Sequence, residues 1–269
     1  MTGFSADWLT LREPHDLRAR NPEVLDAVAA SLGPLSSVRL VDLACGTGST
    51  LRALSPLLPA RQNWKLIDND LGLLARAKAT ELAKHATVTA VLLDLNRDLE
   101  AALDGPVDLV ATSALLDLVS ETWLDRLAVE IAARSIPLYA ALSYDGRIAL
   151  TPSDPLDAAI AAAVNAHQRT DKGFGPALGP TAAAFAIARF EALGYSVAHG
   201  ASDWTLGPDD ADIQAELLAG WASAARDIGT LSLAETTAWL SRRRHAVAGG
   251  VSSLIVGHVD FLAIPSATR

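Results

Sequence analysis

Residues 38–49 read Val38-Arg39-Leu40-Val41-Asp42-Leu43-Ala44-Cys45-Gly46-Thr47-Gly48-Ser49. Val38 to Leu43 is a short, mostly apolar run that stops at a glycine-rich turn, the pattern of a strand buried on both faces of a parallel sheet. Gly46 and Gly48 allow a tight turn and a close approach to a ligand. In an open α/β sheet, ligands bind beyond the carboxyl ends of the strands, where this turn falls. Outward from it the pattern recurs. A helix is predicted from Pro22 to Leu32, with Asn21 as its cap and Gly33 at its end. Strands at Trp64–Ile67, Val88–Leu93, Val107–Thr112 and Leu138–Ser143 alternate with helices at Ser49–Leu54, Leu71–His85 and Glu121–Arg134. That alternation predicts a doubly wound, mostly parallel α/β sheet with helices on both faces.

After Tyr144 the alternation loosens. Helices are predicted at Pro155–Gln168, Thr181–Leu193, Asp210–Asp227 and Leu233–Val247, with a strand starting at Tyr195 and a long last strand at Val251–Ile264. The stretch from Arg169 to Pro180 reads as a loop rich in glycine and proline. No linker separates two domains. The expectation is one domain over 1–269, with an N-terminal helical lid at 1–35 and insertions at 150–180 and 207–248 that cap the substrate side.

The 269 residues are half apolar, enough for a sizeable core, and carry a formal net charge of −9. An acidic surface argues against a nucleic-acid partner. No apolar run is long enough to span a bilayer, the N-terminus lacks the basic-then-apolar pattern of a signal peptide, and no membrane partner is expected. The expected location is the cytoplasm. The single cysteine, Cys45, excludes cysteine-rich metal sites. It reads as a packed turn residue, no other metal cluster is visible, and nothing sets the oligomeric state.

Three carboxylates close successive strands. Asp42 can accept hydrogen bonds from a cationic ammonium. Asp68, followed by Asn69, can accept both hydroxyls of a ribose. Asp94 can receive the exocyclic amine of adenine, while Leu95 offers a backbone amide. The runs VDLACGTGS, LIDND and LLDLN resemble the three cofactor motifs of the class I S-adenosylmethionine-dependent methyltransferases, and the resemblance covers roughly Val38 to Ser143. It implies a seven-stranded sheet with an antiparallel last strand, S-adenosylmethionine as cofactor, and methyl transfer as the activity. It places Asp42, Ala44, Cys45, Gly46, Thr47 and Gly48 along the methionine part, Asp68 and Asn69 at the ribose, Asp94 and Leu95 at the adenine, and Ser113 near the sulfonium. The family usually has glycine where Ala44 stands.

The acceptor is expected above the fourth and fifth strands. His167 is a candidate general base, and Arg169, Lys172 and Phe174 are candidate substrate contacts on the loop that follows it. Tyr144 and Asp117 flank the same sheet edge as further catalytic candidates. Arg12 or Arg20, from the N-terminal run, could meet the methionine carboxylate; the competing reading is a surface helix with solvated arginines. Arg242-Arg243-Arg244-His245 reads as a helix end complementing its dipole rather than as an anion site. No Asn/Asp-Pro-Pro-aromatic motif follows the fourth strand, where Ser113-Ala114-Leu115-Leu116-Asp117 stands. A small-molecule acceptor is therefore expected. Two other readings stay open: a non-catalytic binder of the same cofactor, and an NAD(P)-dependent oxidoreductase, whose third glycine would fall at Leu51.

Overall fold

The computed structural model describes residues 4–59, 61–78 and 86–266. Helix α1 (Ala6–Ala19) is capped by Ser5, and α2 (Pro22–Leu32) by Asn21 with Pro22 in its first turn. The alternating core follows: β1 (Ser37–Leu43), α3 (Ser49–Leu54), β2 (Arg61–Asp68), α4 (Leu71–Lys78), β3 (Ala86–Leu92), α5 (Leu99–Ala102), β4 (Leu109–Ser113), α6 (Glu121–Ala133) and β5 (Leu138–Thr151). Then come α7 (Asp157–Gln168), α8 (Ala182–Ala192), β6 (Tyr195–Ala201), β7 (Trp204–Leu206), α9 (Ala211–Ile228), α10 (Leu233–Ala248) and β8 (Ser253–Pro265). The last turns of the helix expected to reach His85 lie outside the described residues.

The sheet order is β3-β2-β1-β4-β5-β8-β6, with β7 hydrogen-bonded to β8 off this path. Strands β3, β2, β1, β4 and β5 are parallel, and β8 runs antiparallel to β5 and β6. The expected antiparallel last strand is present. The count differs: among the described residues the short β7 makes eight, because Trp204-Thr205-Leu206 is a three-residue buried–exposed–buried segment too brief to register as a strand.

Strand periodicity sorts the core. In β1, Val38 and Leu40 point to one face, against Val24, Val28 and Leu32 of α2 with Leu51 and Leu54 of α3. Val41 and Leu43 point to the other, against residues of α6 and α8 such as Leu127, Ile131 and Phe190. Asp42 follows the parity of Leu40 and is therefore a carboxyl pointing into an apolar layer.

The fifth strand does not stop at Ser143. The chain absorbs Tyr144-Asp145-Gly146 as a register shift between Tyr144 and Ile148, with Gly146 at φ 90°, and pairing with β8 resumes to Thr151. Tyr144 is thus inside β5. This extended arm carries a third apolar cluster, in which Tyr144, Trp204 and Leu254 pack against Ile160 and Val164 of α7, Trp221 of α9 and Trp239 of α10. Trp123, Trp204, Trp221 and Trp239 are all buried. No helix among the described residues is long and apolar enough to cross a membrane.

One turn residue is out of character. Ala44 sits at φ 54°, in the left-handed region. A left-handed non-glycine residue costs ~1–2 kcal/mol, against the ~0.5–1 kcal/mol that glycine loses in backbone entropy. Ala44→Gly is expected to stabilise the chain by about 0.5–1 kcal/mol, read as a higher denaturation midpoint at unchanged slope.

Candidate active site

The glycine-rich turn is built from left-handed backbone at Ala44, Gly46 (φ 53°) and Gly48 (φ 86°), which swings the chain from β1 into α3. The Cys45 amide donates to the Ile67 carbonyl at 2.8 Å, and the Gly46 amide donates to Oδ2 of Asp68 at 2.9 Å. A side chain at Gly48 would press on Ala77 of α4. Cys45 is buried, and burial pushes its thiol well above the usual range, so it packs rather than reacts. Thr47 is buried, and the Arg52 guanidinium donates to its carbonyl at 2.7 Å.

Helix α1 lies directly on this turn. A Cβ at Gly46 would meet the Leu9 side chain, and Glu13 is ion-paired with Arg52 of α3, one oxygen at 2.6 Å. Arg20, which ends α1, is 4% exposed; it donates to the Tyr139 hydroxyl at 3.0 Å and to Ser113 Oγ at 3.4 Å. Both carboxyl oxygens of Asp42 are fully buried, with the Thr50 hydroxyl as their side-chain neighbour, and the Arg20 Nε is buried with no hydrogen-bond partner among the described residues. Burial raises the Asp42 carboxyl to about 8, partly offset by the nearby Arg20 charge. A buried acid near a buried guanidinium that keeps one N–H unpaired costs free energy unless something pairs with both. An amino-acid end group, ammonium toward Asp42 and carboxylate toward Arg20, has that charge pattern.

At the end of β2, Asp68 is 7% exposed and accepts the Asp70 amide at 3.0 Å as well as that of Gly46. Burial raises its carboxyl, and these backbone donors oppose the shift. Each oxygen keeps acceptor capacity, and the neighbouring Asn69 is exposed. Asp94 stands two residues beyond β3 rather than at its end, exposed, with Oδ1 accepting the Asn96 amide at 2.9 Å. Leu95 is buried, its carbonyl held by Trp123 Nε1 at 2.8 Å. The residues present thus suit the three parts of an adenosyl amino acid: a buried acid and a guanidinium with one free N–H at one end, a braced carboxylate in the middle, and an Asp–Leu edge at the other.

A second polar cluster lies where β4 and β5 end. Asp117 is 5% exposed, one oxygen without a partner among the described residues, and burial raises its carboxyl to about 6. The Tyr144 amide and the charge of Arg12 face it. The Tyr144 hydroxyl bonds to Asn165 Oδ1 of α7 at 2.7 Å, and burial raises the phenol. Arg12 is buried, forked onto Asp16 at 2.9 and 3.1 Å and stacked over Trp204 at 4.9 Å. The solvated-arginine reading of this helix therefore does not hold.

Four residues here escaped the sequence reading. His258 of β8 lies against the Trp204 and Tyr144 rings at 5.1 and 6.1 Å, and burial lowers it to about 3, so it is neutral. Asp260 of β8 accepts the Leu142 amide at 2.7 Å and the Asn21 amide at 3.0 Å, tying a second register shift of β5, between Ala140 and Ser143, to the start of α2. Asp16 and Tyr139 complete the net. The available signal was His258 and Asp260 interrupting an otherwise apolar strand.

The remaining candidates lie elsewhere. His167, at the end of α7, contacts Lys172 at 3.4 Å and Asp227 of α9 at 3.8 Å, and no described contact joins it to Tyr144 or Asp117. Arg169 is exposed. Phe174 packs edge-on against Trp123 at 5.2 Å, and the Gly173 carbonyl accepts from Asn96 Nδ2 at 2.9 Å, so this loop borders the Asp94–Leu95 edge.

A family profile described as a methyltransferase domain matches residues 40–135. The fold is similar to that of a cyclopropane-fatty-acyl-phospholipid synthase-like protein from Lactobacillus casei, with TM-score 0.56 and 14% identity over 98% of this chain and 94% of the other. A SAM-dependent methyltransferase from Geobacter sulfurreducens, solved with S-adenosyl-L-homocysteine, aligns at 19% identity and TM-score 0.46 over 98% of this chain and all of the other. No curated protein sequence matches the chain. The matched segment spans the glycine-rich turn and all three acidic strand ends, so the chain contains a methyltransferase domain, and that domain implies S-adenosylmethionine as the cofactor.

Proposed function

We propose that the chain methylates a small molecule held between the β4–β5 edge and a cap made of α1, α7, α9 and α10. The observation that carries this reading is the Asp117–Tyr144 pair, buried beneath helices beyond Ser113. A polar pair buried under packed helices suits a small ligand better than an open polymer groove. Asp42 and Arg20 bind the amino-acid end of the cofactor, Asp68 with Asn69 the ribose, and Asp94 with Leu95 the adenine. The cofactor supplies an electrophilic methyl group on a sulfonium sulfur.

The protein orients the acceptor and manages its proton. The acceptor's lone pair forms the new bond to the methyl carbon, the carbon–sulfur pair stays on sulfur, and Asp117 takes the acceptor's proton. Asp117 is the better base in this arrangement than His167, which faces Lys172 and Asp227 instead. With a turned-over acceptor in hand, Asp117→Asn is expected to lower kcat by about 10²-fold at little change in cofactor affinity. His167→Ala is expected to leave kcat within about twofold. The opposite ranking would move the chemistry to α7, and cofactor binding without turnover of any acceptor would favour a non-catalytic binder.

The Asp42 reading has its own pH test. In the free protein the carboxyl is largely protonated below about pH 8. An ammonium beside it stabilises the ionised form, so binding expels a proton at neutral pH. Affinity for S-adenosylhomocysteine is expected to rise by up to about tenfold per pH unit from pH 6 toward 8, then flatten. Titration calorimetry at pH 7 in buffers of different ionisation enthalpy reads the proton directly. A buffer-independent enthalpy would remove Asp42 from the ammonium site.

A further inference from the structure

The charges around the acceptor spot do not balance. Arg12 is the cation whose charge reaches Asp117, and it is already committed to Asp16 through two hydrogen bonds and to the face of Trp204. His258, against Tyr144 and Trp204, is neutral. Tyr144 donates its hydroxyl proton to Asn165, and the carboxylate of Asp145 beside it is spent on Arg147 at 2.6 Å. Asp117 keeps a buried oxygen with no partner among the described residues. The surplus is one carboxyl beside Tyr144.

We propose, resting on the acceptor seat assigned above, that Asp117 receives the acceptor through a protonated nitrogen, so that the substrate is a small aromatic or alkyl amine rather than an alcohol or a carboxylic acid. A buried carboxylate with one unpartnered oxygen is stabilised by an ammonium donating into that oxygen. Tyr144, whose ring lies against His258, lines the same edge and offers an apolar wall for the body of such a ligand. A carboxylate ligand meets repulsion there, since Asp16 already neutralises Arg12. An alcohol supplies the hydrogen bond without the charge. The same contact prepares the chemistry: the ammonium passes its proton to Asp117, which frees the nitrogen lone pair.

The test uses the full chain saturated with S-adenosylhomocysteine and three probes of matched shape: phenethylamine, 2-phenylethanol and 3-phenylpropanoate. Calorimetry or ligand-observed NMR on the wild type is expected to rank the amine at least about tenfold above both others, the worth of a charge-assisted hydrogen bond. Asp117→Asn, nearly isosteric, is expected to bring the amine down to the level of the alcohol while S-adenosylhomocysteine still binds. Equal or stronger binding of the alcohol or the acid, no amine binding at millimolar concentration, or a preference that survives Asp117→Asn would overturn the proposal. The wild-type ranking needs no variant, so misfolding cannot mask the outcome. Failure of S-adenosylhomocysteine to bind the wild type would strike the underlying cofactor reading instead, and is scored separately.

Discussion

Asp68→Ala is expected to weaken S-adenosylhomocysteine binding by at least about 10²-fold while the chain stays folded. Two losses add. A carboxylate receiving two ribose hydroxyls makes two charge-assisted hydrogen bonds, each worth ~1.5–3 kcal/mol. The same carboxylate accepts the Gly46 and Asp70 amides, so it also braces the glycine-rich turn against the end of β2. Truncation leaves a left-handed turn residue without its anchor, and the methionine end of the site loosens with the ribose end. Asp68→Asn separates the two effects. It keeps a carbonyl acceptor for one amide but loses the charge, and its Kd is expected to fall between wild type and alanine. Calorimetry supplies the Kd, and circular dichroism with thermal melting supplies the fold control. Unchanged affinity in Asp68→Ala would move the ribose away from β2.

The part of the site that lies on the alternating core was legible because strand ends and turn glycines are local signals. Val38–Leu43 reads as buried on both faces and is so, and the turn after it holds left-handed backbone at Gly46 and Gly48. Asp42 and Asp68 stand where a period-two strand followed by a turn must put them. The acceptor side was less legible, for two reasons. Asp117 and Tyr144 were singled out by their place after β4 and β5, but the partners that give them meaning, Arg12 and His258, come from opposite ends of the chain and meet only through tertiary packing. The His167–Phe174 segment, dense in chemistry over a few residues, looked like one site. Helical geometry splits it: Asn165 faces Tyr144, whereas His167, two residues on, faces Lys172 and Asp227. β5 was cut short because Tyr144-Asp145-Gly146 carries turn composition, and only the pairing with β8 carries the strand through it.

The arginine run in α10 tests the packing of the cap, and Arg243→Ala is expected to cost about 3–5 kcal/mol, a fall in Tm of about 10 °C. Arg243 is 2% exposed. Its guanidinium pairs with Asp157 in the first turn of α7, donates to the Pro152 carbonyl at 2.5 Å, and lies over the Trp239 ring at 6.0 Å. Asp157 in turn accepts Trp239 Nε1 at 2.8 Å and the Asp154 amide at 2.7 Å. Removing the cation leaves a mostly buried carboxylate and a carbonyl unpaired, which is why breaking a buried pair costs more than the pair contributes. Arg242, one residue before, forks onto Asp154 from the surface at 2.5 and 3.0 Å, half exposed, and Arg242→Ala is expected to cost under about 1 kcal/mol. The contrast between neighbours separates a buried joint from simple helix-end charge complementarity, under which the two would cost alike. Arg243→Met with Asp157→Asn removes both charges and keeps an acceptor for Trp239, and is expected to recover at least half of the loss. Thermal melts of the four proteins decide it. If Arg243→Ala melts with the wild type, α10 is not held to α7 through this pair, and the cap over Tyr144 rests on its apolar contacts alone.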